Sequence, residues 1–214
     1  MTKKQELDKE LTQVWLILVA AKESFNYCYY MHKPKSDSEL QYINESKDFK
    51  YIRHLLWRVT IIELAKIFRE SKDTERFNIF HLFNKLKPSG HFKSLSFPDQ
   101  KLTEYETSFK KDKLITQIIN LRDKIYAHTD PKTDNLETDL ITFLALENLI
   151  QKTERILNEI FELVLDTSLL FDSPVFDKNG FDAFEILAKD RENFLEQERQ
   201  QLNEFLKKHT TYSK

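Results

Sequence analysis

Two glycines, Gly90 and Gly180, and five prolines are all that this chain of 214 residues offers for turning. Together they make up roughly 3% of the positions, against a usual ~12%. Strand-rich folds reverse direction every few residues and place glycine and proline at the reversals, so the scarcity argues against a sandwich, a barrel or a doubly wound sheet. It also removes two routes to nucleotide binding. A G-x-G-x-x-G turn and a G-x-x-x-x-G-K-[ST] phosphate loop both need glycines far closer together than positions 90 and 180.

Helical periodicity runs along almost the whole chain. Leu7, Leu11, Val14, Leu18, Phe25 and Tyr29 recur at three-, four- and seven-residue steps, which predicts a first helix over about residues 4–31. Ser36 followed by Glu39 has capping-box spacing. Beyond it a second helical segment restarts near Ser46 and runs through Ile52, Leu55, Leu56, Val59, Ile62 and Ile67. A short apolar piece, Phe77 to Leu86, is closed by Pro88, Ser89 and Gly90, and the stretch to Pro98 is expected to be irregular. Helix resumes after Pro98, with an interruption near Lys110 to Asp112, and continues through Leu114, Ile118, Leu121 and Ile125 towards His128. Pro131 pushes the residue before it out of the α region, so that helix ends at or before Thr129. A long helix is expected over about residues 137–170, with Leu140, Leu144, Leu149, Ile156, Ile160, Leu163 and Leu165 inward. After a loop at Asp172 to Gly180, a last helix starts apolar and ends as a run of Glu, Gln, Arg and Lys.

The expected fold is therefore all-α, an antiparallel bundle of about four to six helices. With 40% hydrophobic and 32% charged residues, one soluble domain is expected over 1–214, its core at about 5–170 and an additional C-terminal helix at about 181–208. Cys28 stands alone, so one chain builds neither a disulfide nor a cysteine-ligated metal site, which fits a reducing, cytoplasmic setting. The longest apolar run, Val14 to Ala21, is eight residues, well short of the ~20 that span a bilayer. No membrane association is expected. Nor do the six histidines fall into H-E-x-x-H or Glu-x-x-His spacing, and neither a metal nor another cofactor is expected. Within the aromatic stripe Phe25 to Tyr30, Cys28 reads as a buried, inert thiol.

One stretch concentrates chemistry: Asn120-Leu121-Arg122-Asp123-Lys124-Ile125-Tyr126-Ala127-His128-Thr129-Asp130-Pro131. Leu121 and Ile125 are expected to point inward, leaving polar and ionisable groups around the helix end. His128 in the last turn is favoured as a cation by the helix dipole, while Arg122 opposes that. An imidazole that moves a proton and a guanidinium that neutralises phosphate are the minimum kit for phosphodiester transfer. On a straight helix, six residues at ~100° each leave the two side chains about 120° apart. They meet only if the last turn distorts or a second subunit completes the site. A plain structural bundle, with Arg122 paired to a carboxylate and His128 capping its helix, accounts for the same residues.

Arg122-Asp123-x-x-x-x-His128 resembles the signature of the HEPN superfamily, an arginine and a polar residue followed, four to six residues after the arginine, by a histidine. The preceding Ile-Asn-Leu, the following Thr-Asp-Pro, and the upstream Ile61-Ile62-Glu63-Leu64-Ala65-Lys66-Ile67-Phe68 and Phe77-Asn78-Ile79 are similar to its abortive-infection U branch. The resemblance covers the helical order from about Trp15 to Leu170. It implies a homodimer that brings two Arg/His motifs to one cleft, and a metal-independent endoribonuclease acting as a toxin or phage-defence effector, with an antitoxin protein as a further partner. In that scheme His128 acts on the 2′-hydroxyl or the leaving oxygen, Arg122 holds the phosphate and Asp123 orients Arg122. Tyr126, Lys124 and Asn120 contact RNA, and Asp130 supports the motif. Glu63 stands either at the site or as a paired structural carboxylate. Many ribonuclease members have four residues between the arginine and the histidine, where this chain has five. Other members have lost catalysis, so the alternative is an inactive HEPN-like module that binds a partner protein or nucleotide.

Charge is distributed in keeping with an RNA partner. From His81 to Lys132 there are ten Lys or Arg against six Asp or Glu, while the rest of the chain has 23 against 29. Local basicity with interspersed aromatics suits backbone contact and base stacking.

Overall fold

The computed structural model describes residues 1–70, 77–127, 138–169 and 182–210. Among them are eight α-helices and no strand: α1 (Lys3–His32), α2 (Asp37–Glu45), α3 (Lys47–Phe68), α4 (Ile79–Leu86), α5 (Asp99–Lys110), α6 (Lys113–Leu121), α7 (Phe143–Ile160) and α8 (Asp182–Thr210). The fold is all-α, a HEPN-like helical bundle. Helices outnumber the expected segments because the interruptions at Ser46 and at Lys111-Asp112 are complete helix ends. Ser46 closes α2 in an extended conformation, and Asp112 caps α6 by accepting the Leu114 amide at 3.0 Å. The chain divides into two compact units, one of residues 1–27 and 55–176, the other of 28–54 and 177–214.

The first unit carries the larger core. Leu7, Leu11, Val14, Leu18, Ala21 and Phe25 of α1 are buried at alternating four- and three-residue steps, the spacing that keeps one helical face turned inward. Against them lie Ile61, Leu64, Ala65, Ile67 and Phe68 of α3 and Ile79, Phe80, Leu82, Phe83 and Leu86 of α4. Asn78, itself buried, caps α4 by accepting the His81 amide at 2.8 Å.

After α4 the chain doubles back sharply. The Gly90 amide donates to Lys87 O at 2.8 Å and the Phe92 amide to Lys85 O at 2.7 Å. These bonds satisfy carbonyls that a helix end leaves open. They also bring Gly90 so close that a Cβ there would lie 2.3 Å from Lys85 O and 2.4 Å from Asn84 O, both backbone atoms. Gly90→Ala is expected to force the turn apart at a cost of about 1–3 kcal/mol, the usual range for overpacking. Thermal melts of the two proteins check this, and an unchanged midpoint refutes it.

α7 corrects the expectation for the long helix. It begins at Phe143, where Thr142 accepts the Ala145 amide at 3.2 Å, and passes at Phe161–Leu165 into a π-helical turn that stops at Asp166, with φ 56°. Its buried face is Leu146, Leu149, Ile150, Thr153, Ile156, Leu157 and Ile160, whereas Leu140, Leu144 and Leu163 are exposed. Leucine content alone misled here. The buried set follows the helical period from the Thr142 cap, and Leu144 and Leu163 fall outside that arc.

Between α5 and α7, Glu159 accepts hydrogen bonds from Lys101 Nζ and Tyr105 Oη. Those two bonds, Lys101 first, hold the Glu159 carboxyl below its ordinary range. Burial, reinforced by Glu159, pushes the Tyr105 phenol up to about 12. A carboxyl lowered by folding adds stability above its unfolded pKa of about 4.3. That stability is lost as pH falls through the folded value. A raised phenol adds stability below ~10 and loses it as pH climbs towards the folded value. Melting temperature measured against pH should therefore fall less steeply below about pH 4.3 in Glu159→Gln than in the wild type. Parallel acid limbs refute the assignment.

In the second unit α2 packs on the start of α8. Phe184 stacks on Tyr30 at 6.1 Å and meets Phe49 edge-on at 4.8 Å. Ser36 caps α2 by accepting the Glu39 amide at 3.2 Å, while the buried Glu39 carboxylate accepts Tyr30 Oη at 2.7 Å. Cys28 is fully buried, with its thiol pushed up to about 11 by that burial, which makes it a poor nucleophile.

Candidate functional site

The motif sits where α6 changes its pitch. α6 is held by Leu114, Ile115, Ile118 and Leu121, all buried, and at Arg122 the chain opens into a π-helical turn over Arg122–Ala127. Such turns bond i to i+5 in place of i to i+4, and recur at functional sites. The wider turn changes which residue returns to the core. Counting from Leu121, an α-helix brings Ile125 back to the inner face, whereas a five-residue closure brings Tyr126. Tyr126 indeed packs against the core, and Ile125 is 44% exposed. The expectation that Ile125 points inward is thus corrected, and the cause is the pitch.

Arg122 and Asp123 are brought together: Arg122 Nη1 donates to Asp123 Oδ1 at 2.7 Å. On the other side of the carboxylate, Arg69 Nη2 lies 3.4 Å from Asp123 Oδ2. One turn further, Arg58 Nη2 donates to the Tyr126 carbonyl at 2.6 Å, and the Arg58 guanidinium lies 5.7 Å from the centre of the Tyr126 ring. That carbonyl belongs to the last described turn, and carbonyls at a helix end have no amide donor of their own. Arg58 lies in α3, and Arg69 is the first residue beyond its end, its amide still donating to Ala65 O at 2.8 Å. Three guanidiniums thus gather around one carboxylate and one aromatic ring. Such a patch is positive and suits a polyanion.

Asn120 is exposed and Lys124 half-buried. Glu63 engages Lys66 one turn along α3 at 2.5 Å, with its side chain 16% exposed. His128 and Asp130, like Thr129 and Pro131, lie outside the described residues.

The chain returns to α6 on the far side of the motif. Gln117, buried on α6, donates to Asp139 Oδ1 at 2.7 Å and accepts the Leu140 amide at 3.0 Å. One side chain therefore fastens residues 139–140 beside the helix that carries Arg122.

Sequence reasoning missed Arg58, Arg69 and Gln117. Gln117 left a signal, a polar residue inside the apolar run Leu114 to Leu121. The two arginines left none, because their partners lie more than fifty positions downstream. Among the described residues no group of three or more His, Cys, Asp or Glu is placed to hold a metal ion. No described helix is long and apolar enough to cross a membrane.

The fold is an all-α bundle, and the residues that resemble the HEPN signature stand where its apolar α6 opens into an Arg-Asp turn, braced by Arg58 of α3 and by Arg69 just beyond it. More specifically, the HEPN family model described as AbiU2 matches residues 4–184, and the chain belongs to that family. Comparison with curated proteins and with solved structures found no match.

Proposed function

We propose that the chain is a metal-independent endoribonuclease of HEPN type, a toxin or phage-defence effector whose Arg122/His128 motifs face each other across a homodimer. The observation that carries this reading is Arg122 itself, held at the opened end of α6 by Asp123 and backed by Arg69 and Arg58, in a chain of the AbiU2 family. A π turn returns position 127, one short of His128, beneath position 122. The motif of a partner subunit is then the natural source of the second group, since a two-fold axis places each motif opposite its copy.

Arg122 binds the scissile phosphate and stabilises the charge that builds on its non-bridging oxygens. His128 moves the proton. The 2′-oxygen attacks phosphorus as its proton is taken, the bond from phosphorus to the 5′-oxygen breaks, and that oxygen leaves protonated. The products are a 2′,3′-cyclic phosphate and a 5′-hydroxyl. Tyr126, Lys124 and Asn120 contact the RNA strand, and Arg58 and Arg69 add positive charge behind the phosphate.

The test is incubation of the purified full chain with a mixed pool of single-stranded RNA in excess EDTA. Cleavage that leaves 2′,3′-cyclic phosphate ends supports the reading. An intact pool, with the protein folded and dimeric, overturns it and makes the chain a binding module for a partner protein or nucleotide.

A further inference from the structure

Where α6 begins, a cavity of about 340 Å³ opens between it, the first turns of α7 and the chain at Leu140. That volume lies at the lower end of the ~300–1,000 Å³ typical of small-molecule sites. Its described lining belongs wholly to the first unit. Leu114 and Leu149, both buried, form apolar walls with Ala145, and Leu140, 39% exposed, extends them towards solvent. A single exposed leucine is usually incidental. This one is fixed in place, because Gln117 accepts its amide and donates to the neighbouring Asp139.

The rest of the lining is polar: Lys113, Lys152, Asn148 and Asp112. Lys152 is the unusual member. Lys22, Lys85 and Lys87, half-buried in the same unit, hold Glu154, Glu10 and Glu106 at 2.6, 2.7 and 2.5 Å. Lys152 is also half-buried and holds no carboxylate among the described residues. Its ammonium donates to Ser108 O at 3.4 Å and lies 4.6 Å from the centre of the Phe109 ring. A ring face attracts a cation but leaves its charge unneutralised. Burial holds the Lys152 pKa below the ordinary lysine value; the Asp112 carboxylate offsets part of that, and the Arg155 guanidinium adds to it.

Charge and shape select the ligand. Lys113 and Lys152 against Asp112 leave one net positive charge in the lining, and one Asp112 oxygen is already engaged by the Leu114 amide. One net charge balances a monoanion. No aromatic ring is among the described lining residues, so a nucleobase has no face to stack on. An ammonium has three donors, and Ser108 takes one, which leaves two for an anion. The exposed Asn148 amide supplies another.

We propose that this cavity binds a small organic carboxylate with an apolar body, its head held by Lys152, Lys113 and Asn148 and its body by Leu114, Leu140 and Leu149. The site is separate from the Arg122 motif and requires nothing of the ribonuclease reading. Either outcome of the RNA test leaves it standing.

Isothermal titration calorimetry of the full chain with octanoate, acetate and octan-1-ol reads the site. Octanoate is expected to bind once per chain, with acetate and octan-1-ol each about tenfold weaker or more, since one lacks the body and the other the charge. Lys152→Met keeps the apolar stem and removes the ammonium. It should weaken octanoate about tenfold, the usual scale for a charge-assisted bond, and leave octan-1-ol unchanged. Ala145→Trp fills the cavity and should abolish octanoate binding while helical circular dichroism stays the same. Lys113→Gln and Leu140→Ser, both at exposed positions, repeat the reading if either of those variants fails to fold, and each should weaken octanoate. Equal affinity for octanoate and octan-1-ol overturns the proposal and leaves an apolar patch only. An octanoate affinity untouched by Lys152→Met overturns it too, as does the absence of saturable binding to the wild type.

Discussion

Arg122→Ala is expected to reduce RNA cleavage by about 10²–10³-fold, the usual loss when one preorganised donor to a developing oxyanion is removed. The protein should remain folded. Arg122 pairs with Asp123 at the edge of the structure, and Asp123 keeps Arg69 when Arg122 is gone. Partly exposed ion pairs contribute about 0–1 kcal/mol, so the melting temperature should move little. Arg122→Lys should recover only part of the rate, because an ammonium is a point charge and does not grip two phosphate oxygens with a planar fork. His128→Ala should cost about 10²–10⁴-fold, in line with loss of a general acid or base. If both residues serve one transition state, the double variant loses little more than the worse single one. Single-turnover cleavage rates and thermal melts, run on the same preparations, check each of these outcomes. A wild-type rate from Arg122→Ala removes the residue from the site. A large fall in melting temperature from His128→Ala, with cleavage unchanged, assigns the histidine to capping its helix.

The second large effect belongs to the core. Phe109 of α5 is 1% exposed, stacked on Phe83 of α4 at 6.4 Å and tilted against Phe68 of α3 at 5.1 Å. The Lys152 ammonium of α7 lies 4.6 Å from the centre of its ring. Four helices of the first unit therefore meet at one side chain. Phe109→Ala is expected to destabilise that unit by about 3–5 kcal/mol, since transfer and cavity terms add where neighbours cannot collapse. Against a typical domain stability of about 5–15 kcal/mol this is a large fraction. Trp15 and Trp57 both lie in the first unit, so tryptophan fluorescence in a urea titration follows it selectively. An unchanged midpoint refutes the central role of Phe109. Phe109→Leu, which keeps most of the volume, should lie between the two.

Much of the fold was legible along the chain. The α1 stripe, the Ser36 cap, the short α4 with its closing turn and the break at Lys111-Asp112 are local features. Each is set by side chains within one or two helical turns of each other. The scarcity of glycine pointed the same way. Gly90 is committed to a turn that leaves no room for a Cβ, so under the proposed function phosphate contact falls to side chains. Reading failed where the deciding neighbour was distant. α7 was drawn too long because a run of leucines looks helical and inward wherever it stands. Its cap follows instead from Thr142, and residues 139–140 ahead of it are fastened to Gln117 of α6.

The site divides along the same line. Adjacent residues determined by themselves that Arg122 and Asp123 belong together, and the signature around them named the family that the match over residues 4–184 bears out. Only the tertiary structure decided that the helix opens at Arg122, that Tyr126 displaces Ile125 from the inner face, and that Arg58 of α3 and Arg69 just beyond it brace the turn. The reason is physical. Periodicity and capping are short-range properties that a linear sequence carries directly. A change of helical pitch, or a guanidinium set against a carbonyl 68 residues away, is a balance struck among packed surfaces and exists only once the chain has folded.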